Sequence, residues 1–415
     1  MQLSNRAIYV AVNVLAACAF CAAGCQQKKP PQAVPAARID YTQPLPQGQL
    51  ALEKIAPSAY PDFSRSLQST DVKALRKSAA NSLTWFSRPG SAKKYPYLDI
   101  DHARAAASAK ALIDLIDAGA FSLPAGEFNR AIAGKFDVYQ SIGAPTANGS
   151  AYTHKVLFTG YFTPTYDASL TRGGEYQWPL YKRPADLISD AQADTASRRL
   201  ADGTTVPYLT RREIESGALA GDELVWLSSR WNAYVITVQG SARLRLPDGK
   251  IMEVGYAGVN GRAYLSPGLK MIADGVIAEK DLSFETMRQY FTSHPEAMDK
   301  YLWQNPRTVF FKEVHGGPFG ALNVPVTKFA SIATDKDVYP PGMPAFLKVP
   351  IPALENDLPR GSAGEFSGFV LDQDRGGAIR SAGRCDIYMG IGQRAEQTAG
   401  HQLDAGELYY LVAKE

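Results

Sequence analysis

The hydrophobic pattern of the chain changes period near residue 152, and this change limits the folds that the sequence can adopt. Before it, Val72, Leu75, Ala79 and Leu83 recur at the three- and four-residue spacing of an amphipathic helix. After it, short runs rich in β-branched and aromatic residues are separated by Gly and Pro, as in strands joined by turns. Because strands do not alternate regularly with helices, an all-parallel α/β fold is disfavoured. The pattern predicts a mainly β, α+β protein.

Several elements can be predicted individually from local signals. Alternation of Arg and Leu over residues 243–246, followed by the Pro247-Asp248-Gly249 turn, predicts a β-hairpin. Short β-like runs from residue 307 to the end are typical of a small barrel. Further helices are predicted over residues 102–119, about 125–140 and 282–303, the last with Ser283 as a cap.

The first 25 residues have the pattern of a secretory leader with a lipidation signal. Arg6 is the only charge before Lys28, and an apolar run lies between them. Small residues followed by cysteine resemble a bacterial lipobox at two places, LAAC ending at Cys18 and AAGC ending at Cys25. We favour Cys25, because its apolar lead-in is longer and polar sequence follows at once. Gln26 after it predicts an outer-membrane lipoprotein that faces the periplasm, with a retained membrane anchor as the alternative.

Composition excludes several classes of function. The net charge is +3, so the sequence offers no electrostatic case for binding nucleic acid. Cys385 is the lone cysteine outside the leader, which rules out a disulfide framework. We expect its side chain to be buried. The five histidines have no metal-ligand spacing, and no GxSxG, phosphate-loop or GxGxxG motif is present. We therefore predict neither a metal ion nor a cofactor.

Carboxylates remain as the candidate chemistry, in the stretch LDQDRGGAIRSAGRCDIYMG at 371–390. Asp386 precedes Ile387 and should project from a short strand, where burial would raise its pKa and let it act as a proton donor. Asp374 precedes the pair Gly376-Gly377, where backbone can approach a ligand closely. The plainer readings are a turn residue for Asp374 and a local hydrogen-bond acceptor for Asp386. Asp372 is expected to be a solvated side chain.

Several blocks in a fixed order make the chain resemble the membrane-bound lytic murein transglycosylase A family, whose C-terminal part is a 3D domain named for three aspartates. These would be Asp335, Asp374 and Asp386 here. The resemblance covers roughly residues 155–412. The blocks are FTGYFTPTYDAS (158–169), PLYKRPADL (179–187), LTRREIESGALAGDELVWL (209–227), VQGSARLRLPDG (238–249), VGYAGVNGRAYLSPG (254–268), QNPRTVFF (304–311), ASIATDKDVYPPG (330–342) and the stretch at 371–390.

The resemblance implies a double-psi β-barrel with a second β-domain inserted into it and a substrate groove between the two. The expected division of the chain is a signal peptide (1–25), a Pro-rich tether (26–48), a helical N-terminal part of the barrel domain (49–163), the inserted domain (164–307) and the C-terminal part of the barrel (308–415).

The resemblance also implies roles for individual residues. Asp386 would be the catalytic acid, Asp374 would help hold the site, and Asp335 would be a more distant support. Residues expected to contact the glycan are Thr159, Tyr161, Thr163, Gln239, Gly240, Ser241, Tyr256, Asn260, Gly376 and Gly377.

The implied activity is cleavage of the β-1,4 bond between N-acetylmuramic acid and N-acetylglucosamine in peptidoglycan without water, giving 1,6-anhydromuramoyl products. One aspartate would act first as acid and then as base. The implied partners are peptidoglycan glycan strands and a lipid anchor in the outer membrane; partners in cell-wall synthesis or division are not identified. Two alternatives stay open, a glycan hydrolase in which Asp374 activates water and a non-catalytic peptidoglycan-binding lipoprotein.

Overall fold

The computed structural model describes residues 39–190, 195–351 and 364–415. Cys18 and Cys25 lie outside these residues, so the structure does not bear on the lipidation site. The helices are α1 (Val72–Phe86), α2 (His102–Asp117), α3 (Ala125–Lys135), α4 (Arg211–Glu213), α5 (Arg230–Gln239), α6 (Pro267–Ala273), α7 (Phe284–Ser293), α8 (Ala297–Leu302) and α9 (Gln393–His401).

Strands make up most of the remaining regular structure. They are β1 (Leu52–Lys54), β2 (Phe136–Ser141), β3 (Val156–Thr163), β4 (Thr165–Ser169), β5 (Trp178–Tyr181), β6 (Leu187–Asp190), β7 (Thr195–Arg199), β8 (Thr205–Pro207), β9 (Glu223–Leu227), β10 (Ser241–Arg245), β11 (Ile251–Val259), β12 (Val309–Val314), β13 (Ser331–Ala333), β14 (Pro344–Val349), β15 (Phe366–Asp374), β16 (Arg384–Ile391) and β17 (Leu403–Ala413).

The largest sheet has eight strands in the order β1-β2-β17-β14-β15-β13-β16-β3. It closes because the long strand β17 pairs with β3 through its first residues, Leu403–Gly406, and with β14 and β2 through the rest. β17, β14, β15, β13, β16 and β3 thus form a closed ring, which leaves these strands without a free edge. β13 pairs in parallel with β15, and β16 pairs in parallel with β3, so strands distant in sequence become neighbours.

A second β-rich region is inserted between β3 and β13. The chain passes from β3 through Pro164 into β4, which belongs to a six-stranded sheet of order β12-β11-β10-β4-β9-β5. A three-stranded sheet of β6, β7 and β8 accompanies it. Helix α5 packs on the six-stranded sheet through Ala233 and Ile236, which are buried in one cluster with Leu244 and Val254. The expected α+β architecture, a β-barrel with a second β-rich region inserted in it, is confirmed.

The N-terminal helices cover one face of the barrel. Asp71 and Asp101 cap α1 and α2 by accepting hydrogen bonds from backbone N–H groups three residues on. Apolar side chains of the helices meet apolar side chains of the barrel in one buried cluster. Its members include Leu75 and Ala79 of α1, Leu112 of α2, Phe128 of α3, and Phe346, Phe369 and Leu411 of the barrel strands.

Most predicted elements are confirmed, and one was extended too far. The hairpin of β10 and β11, the cap Ser283 and the helix that ends before Gly119 are all present. The third helix ends at Lys135, because Phe136–Ser141 forms strand β2, which pairs with β17, rather than continuing the helix. Helices α4, α5, α6 and α9 were not predicted. Within the described residues, no helix is both long and apolar enough to cross a bilayer.

Gly406 is the residue of β17 at which pairing with β3 ends and pairing with β14 begins. Substituting it tests whether closure of the barrel requires a residue without a side chain at this point. An added Cβ would overlap the Lys348 carbonyl oxygen and lie 2.8 Å from Val349 Cβ. We expect Gly406→Val to lower the free energy of unfolding by at least about 1–3 kcal/mol, the range for overpacked sites. Chemical denaturation measures this change.

Gly400→Ala is the matched control, since an added Cβ on this helical glycine meets no atom within 4 Å. It should leave the unfolding midpoint unchanged or raise it. A Gly406→Val protein as stable as the wild type would show that closure does not depend on this glycine.

Candidate active site

Asp386 lies on β16 at the centre of the barrel wall, between β3 and β13. It is opposite Thr159 in the parallel pair with β3 and opposite Ala333 in the antiparallel pair with β13. Its side chain retains 19% of its solvent exposure. The two neighbouring strands therefore hold this carboxyl group in place from both sides, while part of it still faces solvent.

Two residues supply the polar contacts of the Asp386 carboxyl group. The Thr159 hydroxyl donates a hydrogen bond to Asp386 Oδ1. Arg384 Nη2 donates to Thr159 Oγ1 at 3.0 Å and lies 3.8 Å from Asp386 Oδ1. Burial raises the pKa of Asp386 to about 6, with Arg384 acting to lower it and Asp374 to raise it further. Near neutral pH this group can therefore hold a proton and also release it.

Asp374 ends strand β15 and is held by backbone donors. The N–H groups of Ala321 and Arg375 donate to its Oδ1 at 2.7 and 2.8 Å. Ala333 on β13 is paired with Asp374 on one side and with Asp386 on the other, so the fold brings the two carboxylates to opposite flanks of one residue. Burial raises the pKa of Asp374 above its usual value, although these N–H groups act to lower it.

Tyrosines and hydroxyl groups of β3 and β16 extend the site. The rings of Tyr161 and Tyr388 lie 5.1 Å apart, and the Tyr388 hydroxyl is 2.9 Å from Thr163 Oγ1. Thr163 is also 3.3 Å from Ser241 Oγ, which links the end of β3 to the inserted region. Burial raises the pKa of Tyr161 well above its usual value, and the charge of Asp374 adds to this effect. The Tyr161 hydroxyl makes no hydrogen bond of ordinary geometry among the described residues.

The two glycines of the predicted pair, Gly376 and Gly377, lie beside different side chains. A Cβ added to Gly376 would lie 2.8 Å from Ile379 Cγ1 and 3.8 Å from Asp386 Oδ2, so the backbone of this glycine packs against Ile379 beside that carboxyl oxygen. A Cβ added to Gly377 would instead lie 3.0 Å from Arg307 Nε, at the end of the inserted region. Gly376 therefore lies beside the Asp386 carboxyl group, while Gly377 lies beside a cationic side chain.

Asp335 lies in the turn after β13. Its side chain accepts a hydrogen bond of 3.1 Å from the Asp337 N–H and is largely buried, which raises its pKa. Its carbonyl oxygen accepts from the N–H groups of Val338 and Tyr339. The described contacts of Asp335 shape the backbone after β13 and do not reach Asp386.

The expectation that Asp372 is solvated is wrong. Asp372 is fully buried in the barrel, where it forms an ion pair with Lys336 and accepts hydrogen bonds of 2.8 Å from Thr334 Oγ1 and the Tyr410 hydroxyl. Burial raises the pKa of Asp372 and lowers that of Lys336, and the pairing of the two opposes both effects. The register of β15 shifts between Asp372, which is opposite Ile332, and Asp374, which is opposite Ala333, so the two carboxylates point to opposite faces of the sheet although they are two residues apart. The mostly apolar pattern of β15 gave no sign of this pair.

The remaining candidate residues lie on the inserted region. Gln239 Oε1 accepts from the Phe162 N–H at 3.1 Å, and Gly240 ends α5 with φ 78°, a conformation that favours glycine. Tyr256 on β11 is 40% exposed. Asn260 is fully buried and joins Leu209 and Pro306 through its amide, at 2.8 and 2.7 Å, so its described contacts are internal to the protein.

Sequence reasoning missed three residues close to the carboxylates. Arg384 is two positions before Asp386, so strand periodicity alone would have placed both on one face. Tyr388, two positions after Asp386, carries the same signal. Lys336 gave no such signal, because a lysine is rarely fully buried and its partner Asp372 is distant in sequence. Cys385, on the opposite face of β16, is buried as expected.

Comparison with known proteins identifies the family. The model of the MltA specific insert domain matches residues 157–312, and that of the 3D domain matches residues 330–412. The membrane-bound lytic murein transglycosylase A of Vibrio cholerae is 30% identical over 275 residues, which cover 65% of this chain and 69% of that protein. The chain belongs to the membrane-bound lytic murein transglycosylase A family. This confirms the resemblance found in the sequence.

The protein of the same name from Escherichia coli is 35% identical over 265 residues, and the match covers 62% of this chain and 65% of that protein, somewhat less than two thirds of its length. A crystal structure of E. coli MltA with bound chitohexaose matches with a TM-score of 0.64 at 25% identity, covering 91% of this chain and 98% of that one. A membrane-bound lytic murein transglycosylase from Agrobacterium tumefaciens matches with a TM-score of 0.69 at 23% identity, covering 88% and 98%, which supports the fold.

Among the described residues, no group of three or more His, Cys, Asp and Glu side chains is placed so that it could hold a metal ion. The polar chemistry described around Asp386 is that of carboxyl, hydroxyl, guanidinium and phenol groups. Such an arrangement can donate and accept protons at a bound ligand.

The buried pair of Lys336 and Asp372 can be tested by removing the cation. We expect Lys336→Met to lower the free energy of unfolding at pH 8 by about 3–5 kcal/mol, because it leaves a buried carboxylate without its partner. The loss should shrink as pH falls, since a carboxyl group with a raised folded-state pKa takes up a proton and stops opposing the fold. Chemical denaturation at pH 5 and pH 8 measures both effects.

The double variant Lys336→Met/Asp372→Asn is the control and should recover most of the stability lost at pH 8. If Lys336→Met costs less than about 1 kcal/mol at pH 8, the pair does not hold the barrel interior together.

Proposed function

We propose that this protein is a lytic transglycosylase, an enzyme that cleaves the β-1,4 bond between N-acetylmuramic acid and N-acetylglucosamine in peptidoglycan without using water. The observation that carries the proposal is the Asp386 carboxyl group, which burial holds at a pKa of about 6 while one of its oxygens stays beside Gly376. Family membership supports the substrate, because its members are named murein transglycosylases.

In the first step protonated Asp386 acts as the general acid. Its proton passes to the glycosidic oxygen, the bond from that oxygen to the muramoyl anomeric carbon breaks, and positive charge develops on the sugar ring. N-acetylglucosamine leaves with a free hydroxyl group. A pKa near 6 suits this step, because the proton is still present in a useful fraction of molecules near neutral pH and is released readily.

In the second step the same residue, now a carboxylate, acts as the base. It takes the proton from the C6 hydroxyl of the muramoyl residue, and that oxygen bonds to the anomeric carbon to close a 1,6-anhydro ring. The proton balance returns Asp386 to its starting state, and no water is consumed. Thr159 and Arg384 stabilise the carboxylate formed between the two steps through a hydrogen bond and a nearby positive charge.

Asp374 is the neighbouring carboxylate, and we assign it a supporting role. Its Oδ1 accepts two backbone hydrogen bonds, so it is tied to the loop at Ala321 rather than free to activate a water molecule. Its charge raises the pKa of Asp386, which helps keep the acid protonated. Ordinary glycosidases use two carboxyl groups in distinct chemical roles. In the hydrolase alternative Asp374 would take the second of these roles.

The remaining assignments form part of the same proposal. Thr159, Tyr161 and Gly376 surround the carboxylates and would contact the reacting sugars. Ser241 and Tyr256 of the inserted region would contact the strand further along, in a groove between the barrel and the inserted region. Thr163, Gln239, Gly240, Gly377, Asn260 and Asp335 would instead shape the backbone or neighbouring side chains of the site.

We further propose that the protein is an outer-membrane lipoprotein facing the periplasm, anchored through Cys25 or, alternatively, Cys18. The relatives are named membrane-bound, and a peptidoglycan substrate requires the catalytic region to lie in the periplasm. The division of the chain into leader (1–25), tether (26–48), two barrel segments (49–163 and 308–415) and an inserted domain (164–307) belongs to this proposal.

Product analysis with Asp386→Asn tests the proposed chemistry. Purified sacculi digested with the wild-type protein should lose turbidity and release muropeptides lighter by one water than hydrolysis products, as mass spectrometry will show. Asp386→Asn should reduce the rate by at least about 100-fold, because an amide can neither donate nor take up the proton. Asp114→Asn, which alters an exposed carboxylate on α2, is the matched control and should keep full activity.

Hydrated products would favour the hydrolase, and intact sacculi would favour the binding protein. Folding of the Asn variant can be verified by its stability. A carboxyl group with a raised folded-state pKa supports the fold fully below its unfolded pKa and loses that support as pH rises through about 6. Asp386→Asn should therefore be at least as stable as the wild type at pH 8, and a large loss of stability there would invalidate its use as a catalytic test.

A further inference from the structure

A hydrogen-bond chain of defined direction ends on one oxygen of Asp386. A guanidinium group can only donate, so Arg384 Nη2 donates to Thr159 Oγ1, at 3.0 Å. The Thr159 hydroxyl carries a single hydrogen, which it donates to Asp386 Oδ1. Because Arg384 occupies a lone pair of Thr159 Oγ1, rotation of the hydroxyl away from Asp386 is disfavoured. The direction of the chain therefore runs from Arg384 to Asp386.

This direction distinguishes the two oxygens of the Asp386 carboxyl group. Oδ1 accepts the Thr159 hydrogen, so a proton placed on Oδ1 would compete with that hydrogen for the same oxygen. The proton of the neutral acid is therefore favoured on Oδ2. Gly376 lies beside this second oxygen, and the Cβ that it lacks would be 3.8 Å from Oδ2. The exchangeable proton thus lies on the side of the carboxyl group that faces Gly376 and not on the side that faces Thr159.

We propose that Arg384 is a positioning residue that acts through the Thr159 hydroxyl to keep the exchangeable proton of Asp386 on Oδ2, beside Gly376. This inference rests on the proposed function. It adds a residue that the sequence analysis did not select and gives Thr159 a role beyond contact with the glycan.

The surroundings of Arg384 suit this role. Its side chain is 16% exposed, and within the described residues its Nε has no hydrogen-bond partner, so the contact with Thr159 is not one part of a saturated network. The ionisable groups that face Asp386 are Arg384 on its own strand, Asp374 on β15 and Tyr161 on β3, while the adjacent Cys385 lies on the other face of β16. Arg384 is the cation in this set. Losing it should therefore raise the pKa of Asp386 as well as release the Thr159 hydroxyl.

A double-mutant cycle distinguishes positioning through Thr159 from a general structural role. With activity on sacculi as the readout, Arg384→Met and Thr159→Val should each lower kcat by about 10- to 100-fold, the scale of a misplaced catalytic group, with KM nearly unchanged. The double variant should lower kcat by little more than either single variant, because the first substitution has already interrupted the hydrogen bonds that run from Arg384 through Thr159 to Asp386. Arg384→Lys and Thr159→Ser keep the donors and should recover part of the activity.

Two outcomes overturn the inference. Losses in kcat that multiply in the double variant would show that Arg384 acts independently of Thr159, and an effect confined to KM would assign Arg384 to substrate binding. If circular dichroism shows that Arg384→Met does not fold, Arg384→Gln takes its place in the cycle. Arg76→Met, which removes an exposed arginine paired with Asp117 on the helical face, is the control and should leave kcat unchanged.

The cycle is interpreted only if wild-type protein cleaves sacculi and Asp386→Asn does not. Failure of that requirement counts against the proposed function, whereas multiplying losses in an active enzyme count against the role of Arg384 alone.

Discussion

The parallel pairing of β16 with β3 joins Asp386 to Thr159 across 227 residues of sequence, and the polar contacts of the site depend on it. Each strand by itself carries part of the chemistry. β16 brings Arg384, Asp386 and Tyr388 on one face, and β3 brings Thr159 and Tyr161. The barrel is closed by β17, so neither strand has a free edge along which the register could slip. A shift of one residue would turn Asp386 to the opposite face and put Cys385 in its place.

Three carboxylates of the barrel, Asp372, Asp374 and Asp386, differ in how the protein offsets the cost of burying their charge. Asp372 is enclosed completely, and the barrel supplies Lys336 as its cation together with two hydroxyl donors. Asp374 is compensated by backbone N–H groups. Asp386 has a hydroxyl donor and a guanidinium group 3.8 Å away, and one flank bordered by glycine. These contacts offset only part of the cost of burying the Asp386 charge, so its pKa stays near 6. A proton donor that works near neutral pH requires such a raised pKa.

The sequence predicted the fold class and many helices because their signals are local. Apolar residues at helical spacing predicted α1, and the Pro247-Asp248-Gly249 turn predicted the hairpin. Strand β2 was read as helix because its boundary at Phe136 is decided by pairing with β17, which is distant in sequence. For the site, motifs selected Asp386, Asp374 and Thr159. Local patterns could not show the ion pair of Asp372 with Lys336 or the hydrogen bonds from Arg384 through Thr159 to Asp386. Both depend on segments that only the fold brings together.

Burial raises the pKa of Asp386 to about 6, so a useful fraction of molecules still carries the proton near neutral pH. A carbon-13 NMR titration of aspartate side-chain carboxyl groups measures this pKa directly. The Asp386 resonance is assigned by its absence in Asp386→Asn. We expect this resonance to titrate with a pKa of about 6, well above the usual value of 3.8. A midpoint near 4 would leave only about one molecule in a thousand protonated at pH 7, and would contradict the assignment of Asp386 as the acid.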